Sequence, residues 1–187
     1  MLLNERAAFD LAVRLRAEGA PLGDVYAFIS GLYFRGKMAY SAAFAAPPQG
    51  VPSAVVITPG AGLIPPETIV NAGMIRSLAA IDIHEGEPRY RSPLERDARL
   101  LCEAAGGDCD FVLLGSIATA KYMEPLVNCF GDRLVFPSDF VGRGDMSRGG
   151  LMLRCARSGE ELTYVPAKGA IRHGRRPPKL PKLRRDS

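Results

Sequence analysis

The sequence has no long apolar run, which excludes a protein that spans a membrane through a helix. Its longest apolar stretches, such as those at residues 111–115 and 151–153, fall far short of the roughly 20 residues that a spanning helix needs. The first residues include Asn4, Glu5 and Arg6, so the N-terminus lacks the uninterrupted apolar segment of a signal peptide. We therefore expect a cytoplasmic protein with no membrane partner.

Residues that form disulfides or bind metals are also scarce. Four widely spaced cysteines include no C-x-x-C pair: Cys102, Cys109, Cys129 and Cys155. Without a secretory signal, this pattern favours buried free thiols over a disulfide framework or a zinc site. Only two histidines are present, and one of them, His173, lies near the C-terminus. We expect no bound metal and no cofactor.

Positive charge is concentrated at the C-terminal end of the chain. The formal net charge is +4, from 24 Lys and Arg against 20 Asp and Glu. Residues 168–187 contain eight of these bases and one acid, so residues 1–167 are slightly acidic. We predict a single α/β domain over residues 1–167 and a basic, proline-containing tail over residues 168–187. Such a tail either binds an acidic partner, such as a nucleic acid backbone, or only keeps the protein soluble.

Helix and strand patterns alternate along the last two thirds of the chain. Two helices come first, at residues 4–18 and 23–45, and Gly31 and Gly36 in the second predict that it is broken or closely packed near Arg35. Short apolar runs then predict five strands, at residues 54–58, 78–83, 110–115, 133–136 and 162–165. The helices predicted between them span residues 92–105, 119–130 and 146–157. This order predicts an α/β fold with a mostly parallel sheet, helices on both of its faces in three layers, and the N-terminal helices packed on it.

A candidate anion site follows the third predicted strand. In open parallel sheets, ligands bind beyond the carboxyl ends of the strands, where helix N-termini converge. Ser116, Thr119 and Lys121 lie at such a helix start. A cation in the first turn of a helix is unfavourable unless an anion balances it, which indicates a phosphate or carboxylate site. The alternative is that Thr119 only caps the helix and Lys121 is solvated.

Two glycines occupy the start of the helix that follows the fourth predicted strand. Asp145 is a natural N-cap for this helix, which places Gly149 and Gly150 in its first turns. Each glycine costs about 1 kcal/mol relative to alanine in a helix interior. Close approach of another backbone or of a ligand is the physical reason that remains.

Two arginines flank the same helix start. Arg143 and Arg148 can each bind phosphate or carboxylate with two parallel hydrogen bonds. Alternatively, one of them pairs with Asp139 or Asp145. Both readings remain open at the level of the sequence.

Candidate catalytic groups follow the second predicted strand. Asp82 and His84 are two residues apart, so they share a face at the end of a strand. A histidine near a carboxylate can act as a general base, and Asp139 is a further candidate carboxylate. The alternative is a solvated acidic loop.

The second helix is rich in aromatic residues and also contains two bases. Tyr33 lies close in sequence to Arg35 and Lys37, and a cation beside an aromatic ring is a combination used to bind nucleotides. Aromatic residues at helical spacing usually belong to the core, and we assign three of them there: Phe28, Phe34 and Phe44.

The stretch at residues 136–154, together with residues 115–122, resembles the signature of an uncharacterised bacterial protein family, over most of the chain. That resemblance implies no activity. More distantly, the arrangement resembles uracil-DNA-glycosylase-like α/β proteins, some of which act in nucleic acid or nucleoside chemistry. The catalytic motifs of the glycosylase are not visible here, so the resemblance assigns no residues.

These observations lead to a hypothesis of an anion-binding crevice for a nucleotide, nucleoside or nucleic acid, and they leave open whether the protein is an enzyme. The expected binding residues are Ser116, Thr119, Lys121, Arg143, Arg148 and Arg35. Asp82, His84 or Asp139 would assist any reaction. The alternatives are a non-enzymatic module that binds nucleic acid or protein through the basic tail, and an enzyme for a small anionic metabolite.

Overall fold

A computed structural model describes residues 2–180 of the chain. Over this range the chain forms six α-helices, numbered in order: α1 Asp10–Ala17, α2 Leu22–Phe44, α3 Ala72–Ala79, α4 Pro88–Ala105, α5 Ala120–Phe130 and α6 Asp145–Ser158. Single 3₁₀ turns occur at Gly131–Arg133 and Ser138–Phe140. The helices account for most of the regular structure, and none of those described is long and apolar enough to cross a membrane.

Seven short strands in the described range form three small sheets. They are β1 Ala20–Pro21, β2 Val56–Thr58, β3 Gly62–Ile64, β4 Ile69–Val70, β5 Phe111–Val112, β6 Leu134–Pro137 and β7 Tyr164–Pro166. Strand β1 pairs with β4, and β2 with β3, both antiparallel. The third sheet has the order β5-β6-β7, with β5 parallel and β7 antiparallel to β6.

The fold is therefore mixed α/β, as predicted, but its sheets differ from the expected one. Only β5 and β6 pair in parallel among the described strands, so the pairings do not build a mostly parallel sheet. The strand predicted at residues 78–83 is wrong, because Leu78 belongs to α3 and the chain beyond Ala79 is a turn and loop. Ile75 and Leu78, three residues apart, are both buried on one helix face. A short apolar run cannot by itself distinguish a strand from such a helix end.

Helix boundaries were predicted well for α2, α5 and α6 and less well for α1 and α4. Helix α4 begins at Pro88, not at Ser92, because the Glu87 side chain caps it by accepting a hydrogen bond from the Arg89 backbone amide at 3.0 Å. Pro93 therefore lies inside the helix. The first helix is shorter than expected and begins at Asp10.

Both features expected near Arg35 occur in α2, which breaks at Gly31 and packs closely at Gly36. Gly31 has φ 57° and ψ −131°, values far from those of a helix. Residues that carry a side chain rarely adopt a positive φ, so glycine at this position permits the kink. The kink divides α2 into two arms, and the second arm packs on α6.

Helices α2 and α6 cross through direct contact of their backbones. A Cβ atom placed on Gly36 would lie 2.6 Å from the carbonyl oxygen of Gly149, and one placed on Gly149 would lie 2.7 Å from that of Leu32. These distances are too short for any side chain. The sequence predicted a close approach at Gly149 and Gly150. It is confirmed for Gly149, where the neighbour is the backbone of α2. Gly150 instead faces the side chain of Leu180, 3.8 Å from where its Cβ would be.

Helix α2 borders two hydrophobic clusters. Tyr33 and Tyr40 belong to the larger cluster, which also contains residues of α4, α5, α6 and the three-stranded sheet. Phe34 belongs to a second cluster with α1, α3, β1 and β4. Consecutive side chains of one helix therefore point into two different cores, and this arrangement fixes the orientation of α2.

The first part of the basic tail lies against the rest of the chain. Lys168 forms an ion pair with Asp132 at 3.4 Å. The backbone at Gly174 and Arg175 lies beside Val141 and Gly142 in the loop before α6. Residues 168–180 contain no regular secondary structure, and residues 181–187 of the predicted tail lie outside the described range. The division into a domain and a tail remains a prediction.

The helix crossing gives a testable difference between two adjacent glycines. We expect Gly149→Ala to lower the free energy of unfolding by roughly 1 to 3 kcal/mol, because the added methyl group overpacks the crossing. Gly150→Ala is the matched control, and we expect it to raise stability by up to about 1 kcal/mol through helix propensity. Urea unfolding followed by circular dichroism measures both. Equal effects of the two substitutions would contradict the crossing.

Candidate functional site

A large cavity lies between α2, the β2–β3 hairpin with the segment before it, and β5. Its volume is about 700 Å³. Aliphatic and phenylalanine side chains form most of its wall, and five of the six tyrosines of the chain line it: Tyr26, Tyr33, Tyr40, Tyr122 and Tyr164. We call this space the tyrosine-lined cavity.

One face of α2 supplies much of the wall. Tyr26, Ser30, Tyr33, Lys37 and Tyr40 follow one another at spacings of four, three, four and three residues, which places them along one side of a helix. The Tyr33 hydroxyl donates a hydrogen bond to the Leu114 carbonyl oxygen at 3.1 Å. This bond ties the second arm of α2 to the chain that follows β5, and so holds the cavity wall in place.

Lys37 is the only Lys, Arg or His among the described residues that line the cavity. Its Nζ atom lies 4.1 Å from the centre of the Tyr33 ring and 5.7 Å from that of Phe34. Within residues 2–180 the ammonium makes no hydrogen bond or ion pair, and the two rings lie within cation–π distance of it. Burial lowers the pKa of Lys37 to about 8, although the negative charge of Asp145 opposes that change.

Asp145 and Arg148, at the start of α6, lie near Lys37 but pair with each other at 3.7 Å. Arg148 is buried, and its Nε and Nη2 atoms donate to the Phe140 carbonyl oxygen at 3.2 and 3.0 Å. Burial raises the pKa of Tyr33, and the Arg148 guanidinium partly counteracts this. The guanidinium thus holds the loop before α6. Asp145 pairs with this guanidinium and not with the Lys37 ammonium.

A chain of hydroxyl groups closes another part of the cavity. The Tyr40 hydroxyl accepts a hydrogen bond from the Leu162 amide at 2.9 Å and lies 2.7 Å from the Tyr164 hydroxyl. Tyr164 in turn donates to Glu161 at 2.6 Å. Burial raises the pKa of both tyrosines, so their hydroxyls remain protonated near neutral pH. These hydrogen bonds connect α2 to β7 and to the loop before it.

Of the binding residues expected from the sequence, Ser116 lines the tyrosine-lined cavity. Thr119 occupies the N-cap position of α5 but makes no capping hydrogen bond through its side chain. Lys121 lies in the first turn of α5, with Nζ 5.2 Å from the centre of the Tyr122 ring, outside the cavity lining. Arg143 donates to the Asp139 carbonyl oxygen at 2.9 Å and is not part of the lining.

The remaining predicted residues also lie away from the cavity. Asp82 and His84 are exposed on the loop between α3 and α4, where His84 Nδ1 accepts a hydrogen bond from the Gly86 amide at 3.0 Å. Asp139 is exposed in the 3₁₀ turn after β6. Arg35 borders a separate depression of about 360 Å³. The structure does not bring the three catalytic candidates to the cavity.

The tyrosines were the main feature that the sequence interpretation missed. Tyr26, Tyr33 and Tyr40 are spaced seven residues apart, which marks one helix face and could have identified the wall of the cavity. Tyr122 and Tyr164 carry no comparable signal, because they reach the cavity from distant parts of the chain. The interpretation grouped Tyr33 with Arg35 and Lys37, but the base that it expected to bind a ligand was Arg35, which borders the other depression.

Comparison with known proteins identifies no relative: no family model, no curated protein and no solved structure matches this chain. Within residues 2–180, no group of three or more His, Cys, Asp or Glu side chains is arranged to hold a metal ion. The site is therefore described by its own chemistry, which is an aromatic and apolar cavity with one ammonium group.

The position of Lys37 predicts an unusual dependence of stability on pH. Between about pH 8 and pH 10.5, the unfolded chain binds a proton at Lys37 that the folded chain has lost, so stability from this group rises with pH. At pH 7 we expect Lys37→Met to be more stable than the wild type by roughly 1 to 3 kcal/mol, because it removes a charge that folding desolvates. This difference should shrink from pH 8 to pH 10.

Urea unfolding of both proteins across this pH range measures the difference. Lys121→Met is the matched control, since Lys121 is also a helix lysine beside a tyrosine ring but does not line the cavity. A constant difference between wild type and Lys37→Met would show that the Lys37 ammonium is not desolvated.

Proposed function

We propose that this protein binds a nucleotide, with the base and sugar in the tyrosine-lined cavity and the phosphate at Lys37. The observation that carries the proposal is the Lys37 ammonium, which enters an aromatic and apolar cavity without a carboxylate partner in the described chain. A positive charge in such a place is costly by itself, and an anionic ligand offsets the cost.

The size and lining of the cavity suit a small planar ligand. Pockets that bind small molecules usually have volumes of roughly 300 to 1,000 Å³ and mainly apolar walls with a few polar groups. The volume here is about 700 Å³. Tyrosine rings can stack on a base, and stacking of this kind contributes about 1 to 3 kcal/mol per base. The hydroxyls of Tyr26 and Tyr122 make no hydrogen bond within the described chain and can bind polar edges of a ligand.

Lys37 is the position in the described cavity lining at which an anionic group would be favoured. Ser30 and Ser116 add hydroxyl donors to the same lining. Three carboxylates also border the cavity, but they are exposed to solvent: Asp110, Asp145 and Glu161. Two of them already have partners, since Asp145 pairs with Arg148 and Glu161 accepts from Tyr164. A ligand phosphate would therefore meet the ammonium first inside the cavity.

The proposal concerns binding and assigns no reaction. Asp82, His84 and Asp139 lie outside the cavity lining, so none of them is placed to act on a ligand there. A mononucleotide is favoured over a nucleic acid strand because the cavity is bounded by α2, β5 and the β2–β3 hairpin.

Titration of AMP and UMP against the purified protein tests this proposal. We expect Lys37→Met to weaken binding by roughly 10- to 100-fold, the usual effect of losing a hydrogen bond to a charged group. Lys37→Arg keeps the charge and should retain most of the affinity. Arg35→Met removes a cation from the other depression and serves as the matched control. Isothermal titration calorimetry measures all four proteins.

Other outcomes would overturn the proposal in recognisable ways. Binding of benzoate or another aromatic carboxylate without binding of either nucleotide would indicate the alternative class of small anionic metabolites. Binding of an oligonucleotide that survives Lys37→Met but is lost on truncation before Lys168 would indicate the basic tail. Equal affinity of wild type and Lys37→Met for AMP would exclude Lys37 as the phosphate ligand.

Nucleotide affinity should also depend on pH in a defined direction. A phosphate monoester is almost fully dianionic above pH 7, because its second pKa is about 6. Lys37 loses its proton as pH rises through about 8, so the affinity of the wild type for AMP should fall between pH 7 and pH 9. Lys37→Arg keeps its charge over this range, and its affinity should stay constant. A parallel decline in both proteins would assign the effect to another group.

A further inference from the structure

We propose that the Lys37 amine also forms an imine with an aldehyde or ketone bound in the tyrosine-lined cavity. This inference rests on the proposed role of the cavity in ligand binding but goes beyond it, because it adds covalent chemistry at the same nitrogen. It requires an amine that is accessible to a ligand, free of a carboxylate partner, and placed among groups that exclude bulk water.

The surroundings of Lys37 meet the first two requirements. The side chain lines a cavity of about 700 Å³, so a ligand carbonyl can reach the nitrogen. Asp145, whose negative charge acts on Lys37, pairs with Arg148. The Lys37 nitrogen itself makes no ion pair within residues 2–180. Both the ring of Tyr33, 4.1 Å away, and the positive charge of Arg148 act on Lys37 without accepting a hydrogen bond from it.

The apolar wall of the tyrosine-lined cavity meets the third requirement, the exclusion of bulk water. A desolvated lysine in an apolar pocket, or one close to another cation, has a larger neutral fraction at neutral pH and is a better nucleophile for carbonyl substrates. Lys37 has the first feature, since burial is the main influence that lowers its pKa, while the charges of Asp145 and Arg148 act on it in opposite directions and that of Asp145 has the larger effect. The apolar walls also disfavour the hydrolysis that returns an imine to amine and carbonyl.

The chemical step is balanced without an oxidant or a cofactor. The nitrogen lone pair of the neutral amine attacks the carbonyl carbon, the π bond of the carbonyl breaks, and one proton passes from nitrogen to oxygen to give a carbinolamine. The hydroxyl group then takes up a second proton and leaves as water while the nitrogen lone pair forms the carbon–nitrogen double bond, and the nitrogen releases its last proton to give a neutral imine. The sum is one amine and one carbonyl compound converted to one imine and one water. The Tyr122 hydroxyl, which lines the same cavity and stays protonated because burial raises its pKa, is available as a proton donor.

Labelling with pyridoxal 5′-phosphate, a planar aromatic aldehyde that carries a phosphate, tests the inference. The full-length protein is incubated with this probe at pH 7.5, the imine is reduced with borohydride, and the modified lysines are located by peptide mass spectrometry. We expect Lys37 to be modified at least about tenfold faster than Lys121 or Lys168, which do not line the cavity. Modification of Lys37 at the same rate as those two lysines would overturn the inference.

Two measurements on the wild-type protein separate this inference from the proposed function: the affinity for AMP and the rate at which Lys37 is labelled. Lys37→Arg is the control for the labelling itself, because arginine forms no imine under these conditions, so the fast modification should disappear in this variant. Fast labelling of Lys37 in a protein that binds neither AMP nor UMP would support imine formation and contradict nucleotide binding. Binding of AMP with no selective labelling of Lys37 would support nucleotide binding and contradict imine formation.

Discussion

The rest of the structure depends on the contact between the backbones of α2 and α6 at Gly36 and Gly149. No side chain separates the two helices there, because a Cβ on either glycine would fall within 2.7 Å of a backbone atom of the other helix. This close crossing places the first turn of α6, with Asp145 and Arg148, near the Lys37 side chain. A wider crossing would move these charges apart and open the packed side of the cavity wall.

The kink at Gly31 lets one long helix serve two hydrophobic clusters. Side chains on one face of the second arm reach the larger cluster and the cavity, while Phe34 packs in the smaller one. The tyrosines suit this position because each has an aromatic body that packs in an apolar wall and a hydroxyl that needs a partner. Tyr33 finds its partner at Leu114, and Tyr40 finds partners at Leu162 and Tyr164.

The pairing of charges explains why one cation remains available in the cavity. Arg148 donates a hydrogen bond to the Phe140 carbonyl oxygen and forms an ion pair with Asp145. Glu161 accepts a hydrogen bond from Tyr164. Lys37 is left with aromatic rings, which attract a cation more weakly than a carboxylate does once the pair is desolvated. An anion or a carbonyl compound in the cavity would act on this one nitrogen. The proposals for nucleotide binding and for imine formation therefore concern the same atom in its charged and neutral states.

Local signals in the sequence were sufficient for helices α5 and α6, for β6, for the mixed α/β content, and for the close contact at Gly149. They also grouped Tyr33 with Arg35 and Lys37 but favoured Arg35 as the binding residue, and Arg35 lies away from the cavity. The end of α3 was mistaken for a strand, since a short apolar run fits both. The assembly of the cavity was decided only by tertiary structure: Ser116, Tyr122 and Tyr164 reach it from separate elements, while Arg143 and Arg148 turn to backbone oxygens. Hydrogen bonding and burial between distant segments decide which polar groups remain available to a ligand, and spacing along the chain does not contain that information.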